Sequence, residues 1–377
     1  MRDLRLRDGR VAEIGQSLHA GGDDVIDATG SFVSPGFIDM HVHLREPGSP
    51  EKETIATGTQ AAVAGGFTAV ACMPNTNPAL DDPNVLRWLL DEVARYARCR
   101  VYPIGAITRA RRGRQPCDFP ALGAAGAVAF SDDGDTVRDG DVLMEAARSA
   151  AGVRGPFISH CDPEDDIVAR DVTIAKLSGK QWHVAHVSTA GALQLVADAR
   201  RLGTPVTCEV TPHHLTFTGE AAAGLGSAAK VNPPLREQRD IEALRRGVFD
   251  GAIDAFASDH APHTMQEKLR PDAAPGFTGL EIAAGAYAAA LPNLPLMRFV
   301  ALISTNPARI LGVPGGTLAQ GAPADVTIFA DRQWTVDPSR FASKGHCTPF
   351  AERRLPRMVL ATIVGGDLRF RAPGFAA

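Results

Sequence analysis

Residues 36–48, GFIDMHVHLREPG, decide the fold. A short, mostly apolar run of strand length ends in His41 and His43. Side chains two apart on a strand share a face, so both imidazoles can reach one point in space. Seven more runs of this kind recur down the chain: TAVACMP, RVYPIGAI, AVAFSDD, PFISHCD, WHVAHVST, VTCEVTPHHL and DAFASDH. Between them lie PNVLRWLLDEVARYA, DVLMEAARSAAG, ALQLVADARRLG and REQRDIEALRRGVFDG, with apolar residues at the three- and four-residue spacing of helices. An Ala-rich stretch near Ala283 to Ala290 suits a helix packed closely on its neighbours. Strand and helix in alternation build a parallel sheet, and eight strands is the number that closes a (β/α)8 TIM barrel. We place that barrel in residues 35–312.

The two ends of the chain read differently. LRLRDGRVAEIG has short strands around Asp8-Gly9, a pair that favours the positive φ angles of a tight hairpin. ADVTIFA and RMVLATIVGGDLRF repeat that style, with Gly365-Gly366 as the turn. The expectation is a small β-sandwich domain formed jointly by residues 1–34 and 313–377.

Composition narrows the function classes. The 377 residues are 45% hydrophobic and 22% charged, ordinary for a globular protein, and contain no apolar run long enough to cross a bilayer. The opening MRDLRLRDGR has basic residues with no apolar stretch behind them, so neither signal nor transit peptide is expected and a cytoplasmic location follows. A net charge of -4 with both signs mixed offers no basic stripe for nucleic acid. The six cysteines form no C-x-x-C pair, which argues against a disulfide framework and against a thiolate zinc site.

In a barrel of this kind the chemistry sits at the carboxyl ends of the strands. There the sequence places His41, His43, Asp132, Asp133, His160, His186, His213, His214 and Asp259. Nitrogen and oxygen donors without thiolate suit zinc or a similar divalent ion in an open, catalytic site. Each also has a plain reading: an H-x-H pair can be a satisfied packing pair, a lone strand histidine such as His160 is commonly structural, and Asp259 could cap a turn. In strand six, strict alternation puts Trp182, Val184, His186 and Ser188 on one face and His183 on the other. His186 is then the ligand candidate and His183 is read as packed or helix-facing. Asp259, closing strand eight, is the natural general base beside a metal-activated water.

Taken together, HVHLREPG, MPNT, DDG, SHC, VAHVST, VTPHHL, NPPLR and SDHAPH resemble the dihydroorotases of the amidohydrolase superfamily over nearly the whole chain. The resemblance implies two zinc ions, one held by His41, His43 and Asp259, the other by His160 and His186, with Asp133 bridging both. Many relatives bridge with a carbamylated lysine near strand four, but no lysine occurs from Glu53 to Ala175. A carboxylate must serve, and the resemblance selects Asp133, whereas the residues alone leave Asp132 and Asp133 equal. The implied reaction is reversible hydrolysis of dihydroorotate to N-carbamoyl-L-aspartate in pyrimidine biosynthesis, with Asp259 as proton shuttle. The family pattern places His43, Arg45, Asn75 and His263 around the substrate carboxylate, and Asn232, Pro275 and Gly276 along the amide edge of the ring. Arginine's planar fork suits that carboxylate; the plain alternatives are a surface ion pair at Arg45, a turn at Asn232 and a hinge at Gly276.

One departure stands out. CDPEDDIVARDVTIAKLSGKQ leads almost directly from strand five to strand six, where the dihydroorotases carry an extra loop and helix. Two rival readings follow. A hydantoinase or allantoinase would run the same reaction on another ring, but would normally want the bridging lysine and lack Arg45. A noncatalytic subunit supporting assembly of aspartate transcarbamoylase would be expected to have lost metal ligands, which this chain keeps. The expected partners are a small-molecule substrate and further copies of the chain, with aspartate transcarbamoylase as the alternative.

Overall fold

The computed structural model describes residues 2–375. Eight strands, labelled in chain order, are Phe37–Val42 (β1), Phe67–Cys72 (β2), Arg100–Gly105 (β3), Ala129–Ser131 (β4), Phe157–Ser159 (β5), Trp182–Val184 (β6), Val206–Val210 (β7) and Ala255–Phe256 (β8). Each pairs in parallel with the next in sequence. A bridge between Val42 and His260 joins the last strand to the first and closes the barrel. Every residue of β1 and β2 is buried, as parallel strands covered on both faces require. Gly36, just before β1, lets the backbone pass Thr68: a Cβ there would sit 2.0 Å from Thr68 Oγ1.

Two apolar layers hold the strands. Inside, Met40, Ala71, Ile104, Ala129, Ile158, Ala185, Ala255 and Ala257 fill the barrel with mostly small side chains, over a floor of Ile310 and Leu311. Outside, Phe130, Phe157, Phe119 and Trp182 pack edge to face or tilted at centroid spacings of 5.0–6.1 Å between strands and helices. The helices expected from periodicity run over Pro83–Tyr96, Gly140–Ser149, Ala190–Arg201, Gln238–Asp250 and Ala283–Ala290. Among the described residues, no helix is long and apolar enough to cross a membrane.

Strand six corrects the reading of its faces. Trp182 and Val184 point out into the helix layer, where the Trp182 indole donates to Ser159 Oγ, while His183 and Ala185 turn into the barrel. His183 is not helix-facing: its Nε2 is 3.3 Å from the buried Glu209 of β7. Pairing ends at Val184, and His186 adopts a φ of 33°, so the period-two rule no longer applies where the second histidine sits. Alternation was extended past the point where the chain stops being a strand.

Both chain ends meet in one antiparallel sheet. Phe32–Pro35 pairs with Val326–Ala330, which pairs with Met358–Val364, which pairs with Asp367–Arg371. Asp3–Arg7 and Arg10–Gly15 form a separate hairpin. Both foreseen turns carry two positive φ angles, 50° and 70° at Asp8-Gly9 and 61° and 92° at Gly365-Gly366.

Candidate metal centre

At the carboxyl end of the barrel, six side chains from five strand ends converge, His41 and His43 both from β1. Asp133 is at the centre: its Oδ1 is 3.3 Å from His41 Nε2, 3.5 Å from His186 Nε2 and 3.6 Å from His160 Nδ1, and its Oδ2 is 3.5 Å from His43 Nε2. Asp259 Oδ1 is 3.3 Å from His43 Nε2 and 3.5 Å from His41 Nε2. His160 Nδ1 and His186 Nε2 approach to 3.0 Å. All six are buried. His41, His43 and Asp133 form one group able to hold an ion, and Asp133, His160 and His186 a second.

The spacing tests the fit of a metal. Donors 2.0–2.2 Å from a tetrahedral ion lie about 3.3–3.6 Å from one another, longer than a good hydrogen bond. Most of the contacts around Asp133 fall there, and His41 Nε2 and Asp133 Oδ1 are buried without a hydrogen-bond partner. Electrostatics agrees. Burial pushes the Asp133 carboxyl up, but His41, His160 and His186 outweigh it and hold it well below the usual carboxylate range. Burial likewise opposes ionisation of Asp259, and His41 and His43 prevail. Burial disfavours a charged His41, yet Asp133 and Asp259 raise it well above an ordinary histidine. Two ionised carboxylates walled in by imidazoles form a negative pocket, and the donor set fits a divalent cation.

Asp132 is elsewhere. Its Oδ1 accepts from the Ile107 and Thr108 N–H groups at 2.9 and 3.0 Å, and its Oδ2 accepts from the Thr108 hydroxyl. It ties the end of β3 to the end of β4 and leaves the centre to Asp133.

Further partners orient the rings. His43 Nδ1–H donates to Asn75 Oδ1 at 2.8 Å, which leaves the Asn75 amide nitrogen for a ligand. Asn232 Nδ2 is 2.9 Å from His160 Nε2. Arg45 Nε donates to the Pro262 carbonyl at 3.2 Å, and its NH2 is 3.3 Å from His263 Nε2. His263 Nε2 also lies 3.0 Å from the Pro275 carbonyl, while burial together with Arg45 and Lys52 lowers the ring's pKa to about 4, which keeps it neutral. Gly276 has φ 120° and no room for a Cβ, which would meet Ala261 at 2.7 Å. Its N–H donates to Lys230 O, and its carbonyl accepts from the buried Lys268 ammonium at 2.7 Å. The loop from Ala274 is thereby pinned beside Arg45.

Two residues here were not assigned a role from sequence. Glu209, in CEVTPHHL, accepts from His41 Nδ1–H at 2.9 Å. A lone carboxylate between Cys208 and Val210 on a buried strand was the available signal. His213 is buried against His214 and Phe277, at centroid spacings of 4.4 and 4.9 Å, and neither ring nitrogen has a partner. Burial lowers its pKa to about 3, so the ring is neutral.

Comparison with known proteins places this geometry. A family model described as "Dihydro-orotase-like" matches residues 30–168. Proteins named "Dihydroorotase" from Pelotomaculum thermopropionicum and from Anaeromyxobacter dehalogenans are similar at 44% and 43% identity, covering 97% and 98% of this chain and 93% of each relative. One from Halalkalibacterium halodurans is 41% identical over 97% of this chain and 93% of its own length. Among solved structures, an L-hydantoinase from Arthrobacter aurescens superposes with TM-score 0.88 at 24% identity over 97% of this chain and 92% of that one. A D-hydantoinase reaches 0.90 at 22% identity, with 100% and 93% covered. At those identities the likeness is one of fold.

Proposed function

The chain belongs to the dihydroorotase family, and on that premise we propose that it interconverts dihydroorotate and N-carbamoyl-L-aspartate, a step of pyrimidine biosynthesis. It is an enzyme, a cyclic amide hydrolase. In this reading His41, His43 and Asp259 would hold one divalent ion and His160 and His186 a second, with Asp133 shared between the two groups; zinc would suit the donor set. When bound, such ions would lower the pKa of a water to about 7, supplying hydroxide at neutral pH, and would polarise the ring carbonyl.

The chain's own groups do the rest. Asp259, held ionised, takes the proton of the attacking water and delivers it to the departing ring nitrogen; in the closing direction it returns that proton. Arg45 receives the substrate carboxylate with its planar fork, flanked by the free amide of Asn75 and by neutral His263. Asn232 faces the amide edge of the ring. Gly276 has both backbone polar groups engaged within the protein, so a ring contact at 275–276 uses the remaining lone pair of the Pro275 carbonyl or, in place of the Lys230 contact, the Gly276 N–H.

The observation that carries the reading is the grouping of His41, His43, His160, His186 and Asp259 around Asp133, with Arg45 at the same rim. Metal content and turnover measured on one preparation test it, with dihydroorotate, hydantoin and allantoin offered side by side. Two equivalents of zinc and preference for dihydroorotate are expected. Turnover of hydantoin or allantoin instead would select the hydantoinase reading. A metal-free, inactive chain that binds aspartate transcarbamoylase would select the noncatalytic one.

A further inference from the structure

We infer that Glu209 is a positioning residue for both halves of the metal centre, a single buried carboxylate that fixes the His41 ring and the His186 backbone at once; this rests on the metal reading above. Glu209 Oε1 is 2.9 Å from His41 Nδ1 and 3.4 Å from the His186 N–H, and Oε2 lies 3.3 Å from His183 Nε2. The residue is 1% exposed, on a strand lining the barrel directly beneath the centre.

The geometry has a specific consequence. A neutral imidazole carries one proton, and the nitrogen that holds it cannot ligate. Glu209 holds the proton of His41 on Nδ1, so the lone pair of Nε2 faces Asp133 and Asp259, at 3.3 and 3.5 Å. An ionised acceptor behind a ligating histidine also raises the basicity of its lone pair. The same oxygen reaches the N–H of His186, whose φ of 33° is costly for a residue with a side chain and persists only where its surroundings hold it. His186 belongs to the second group of ligands. One carboxylate therefore touches a residue of each group, while its other oxygen lies 3.3 Å from His183 Nε2 without a hydrogen bond. The buried polar pair inside the barrel, which packing alone would not call for, acquires a purpose as the support of the rim above it.

Chelator competition with zinc separates this inference from the metal reading. Wild-type protein is expected to take up two ions; failure there would overturn the reading of the centre itself. Given uptake by the wild type, Glu209→Gln is expected to weaken both ions about 10–100-fold while the melting temperature of the metal-free protein stays close to wild type. Affinity within twofold of wild type at both sites would overturn the inference, and so would weakening confined to one. Should the variant fail to fold, 15N-histidine NMR of the zinc-loaded wild type decides: a slowly exchanging Nδ1 proton on His41 is expected, and a proton on Nε2 would overturn it.

Discussion

Arg45, His186 and Asp259 all sit on left-handed backbone, with φ of 62°, 33° and 50°. Side-chain-bearing residues avoid that region, so three such positions in one rim mark a site whose surroundings impose its geometry. No spacing rule predicts this. Which residues meet at the centre was legible in part because H-x-H and strand-end aspartates follow from the barrel's architecture; the choice between Asp132 and Asp133 was not, since it depends on which carboxylate the Thr108 region claims. Asp259→Asn keeps the size and one oxygen while removing the base. It should retain most bound metal and lower turnover by about 10²–10⁴, the range of general acid-base catalysis, checked by steady-state rates beside metal analysis. Arg45→Met keeps the stem and deletes the charge. Loss of a charge-assisted contact of about 1.5–3 kcal/mol should raise KM for dihydroorotate roughly 10–150-fold and leave zinc content unchanged. Unaltered KM would remove Arg45 from carboxylate recognition.

At the scale of elements, the sequence marked each strand but not what braces its end. After β5 the chain turns at once into the helix Glu164–Ser178, and Glu164 is buried, accepting from the Ser188 and Thr189 N–H groups at 2.7 and 3.1 Å and from Arg236 at 3.2 Å. The shortened connection still delivers this clamp to the loop after β6, which explains how His160 and His186 meet without the longer segment. Past β8, Glu281 accepts from the N–H groups of Ala342 and Ser343 at 2.9 and 3.3 Å. Burial pushes its pKa from an ordinary 4.5 to about 8, the two N–H groups opposing and Glu53 adding to the rise. The folded protein thus keeps a proton that the unfolded chain has lost. Stability from this group is full below about pH 4.5 and is lost as pH climbs toward 8. Glu281→Gln keeps an acceptor and removes the titration. Thermal melts should match wild type near pH 4 and run several degrees higher at pH 9. Parallel curves across that range would refute the assignment.

Across the whole molecule, the C-terminal segment reaches the chemistry it flanks. Ser343 and Lys344 of the C-terminal segment engage Glu53, another of whose partners, His260, adjoins Asp259. The two hairpin turns were legible from alternating residues and Gly; the strand Phe32–Pro35 that joins the C-terminal sheet was not, nor was this latch, because residues distant in sequence declare no contact by composition. The centre should therefore weigh on global stability. Without cations, Asp133 and Asp259 are buried charges balanced by histidines and Arg45, an arrangement that costs desolvation. Ions that bind only the folded state stabilise it by mass action, about 4 kcal/mol per site at a thousandfold excess over Kd. Removal by chelator should lower the melting temperature on the order of 10 °C at neutral pH, and zinc should restore it. The difference should shrink toward pH 5. Metal ligands bind in their deprotonated forms, so protons compete with the cation and its affinity falls with pH. A melting temperature indifferent to chelator at pH 7.5 would mean that the six side chains are held together by packing alone, with no cation bearing on the fold.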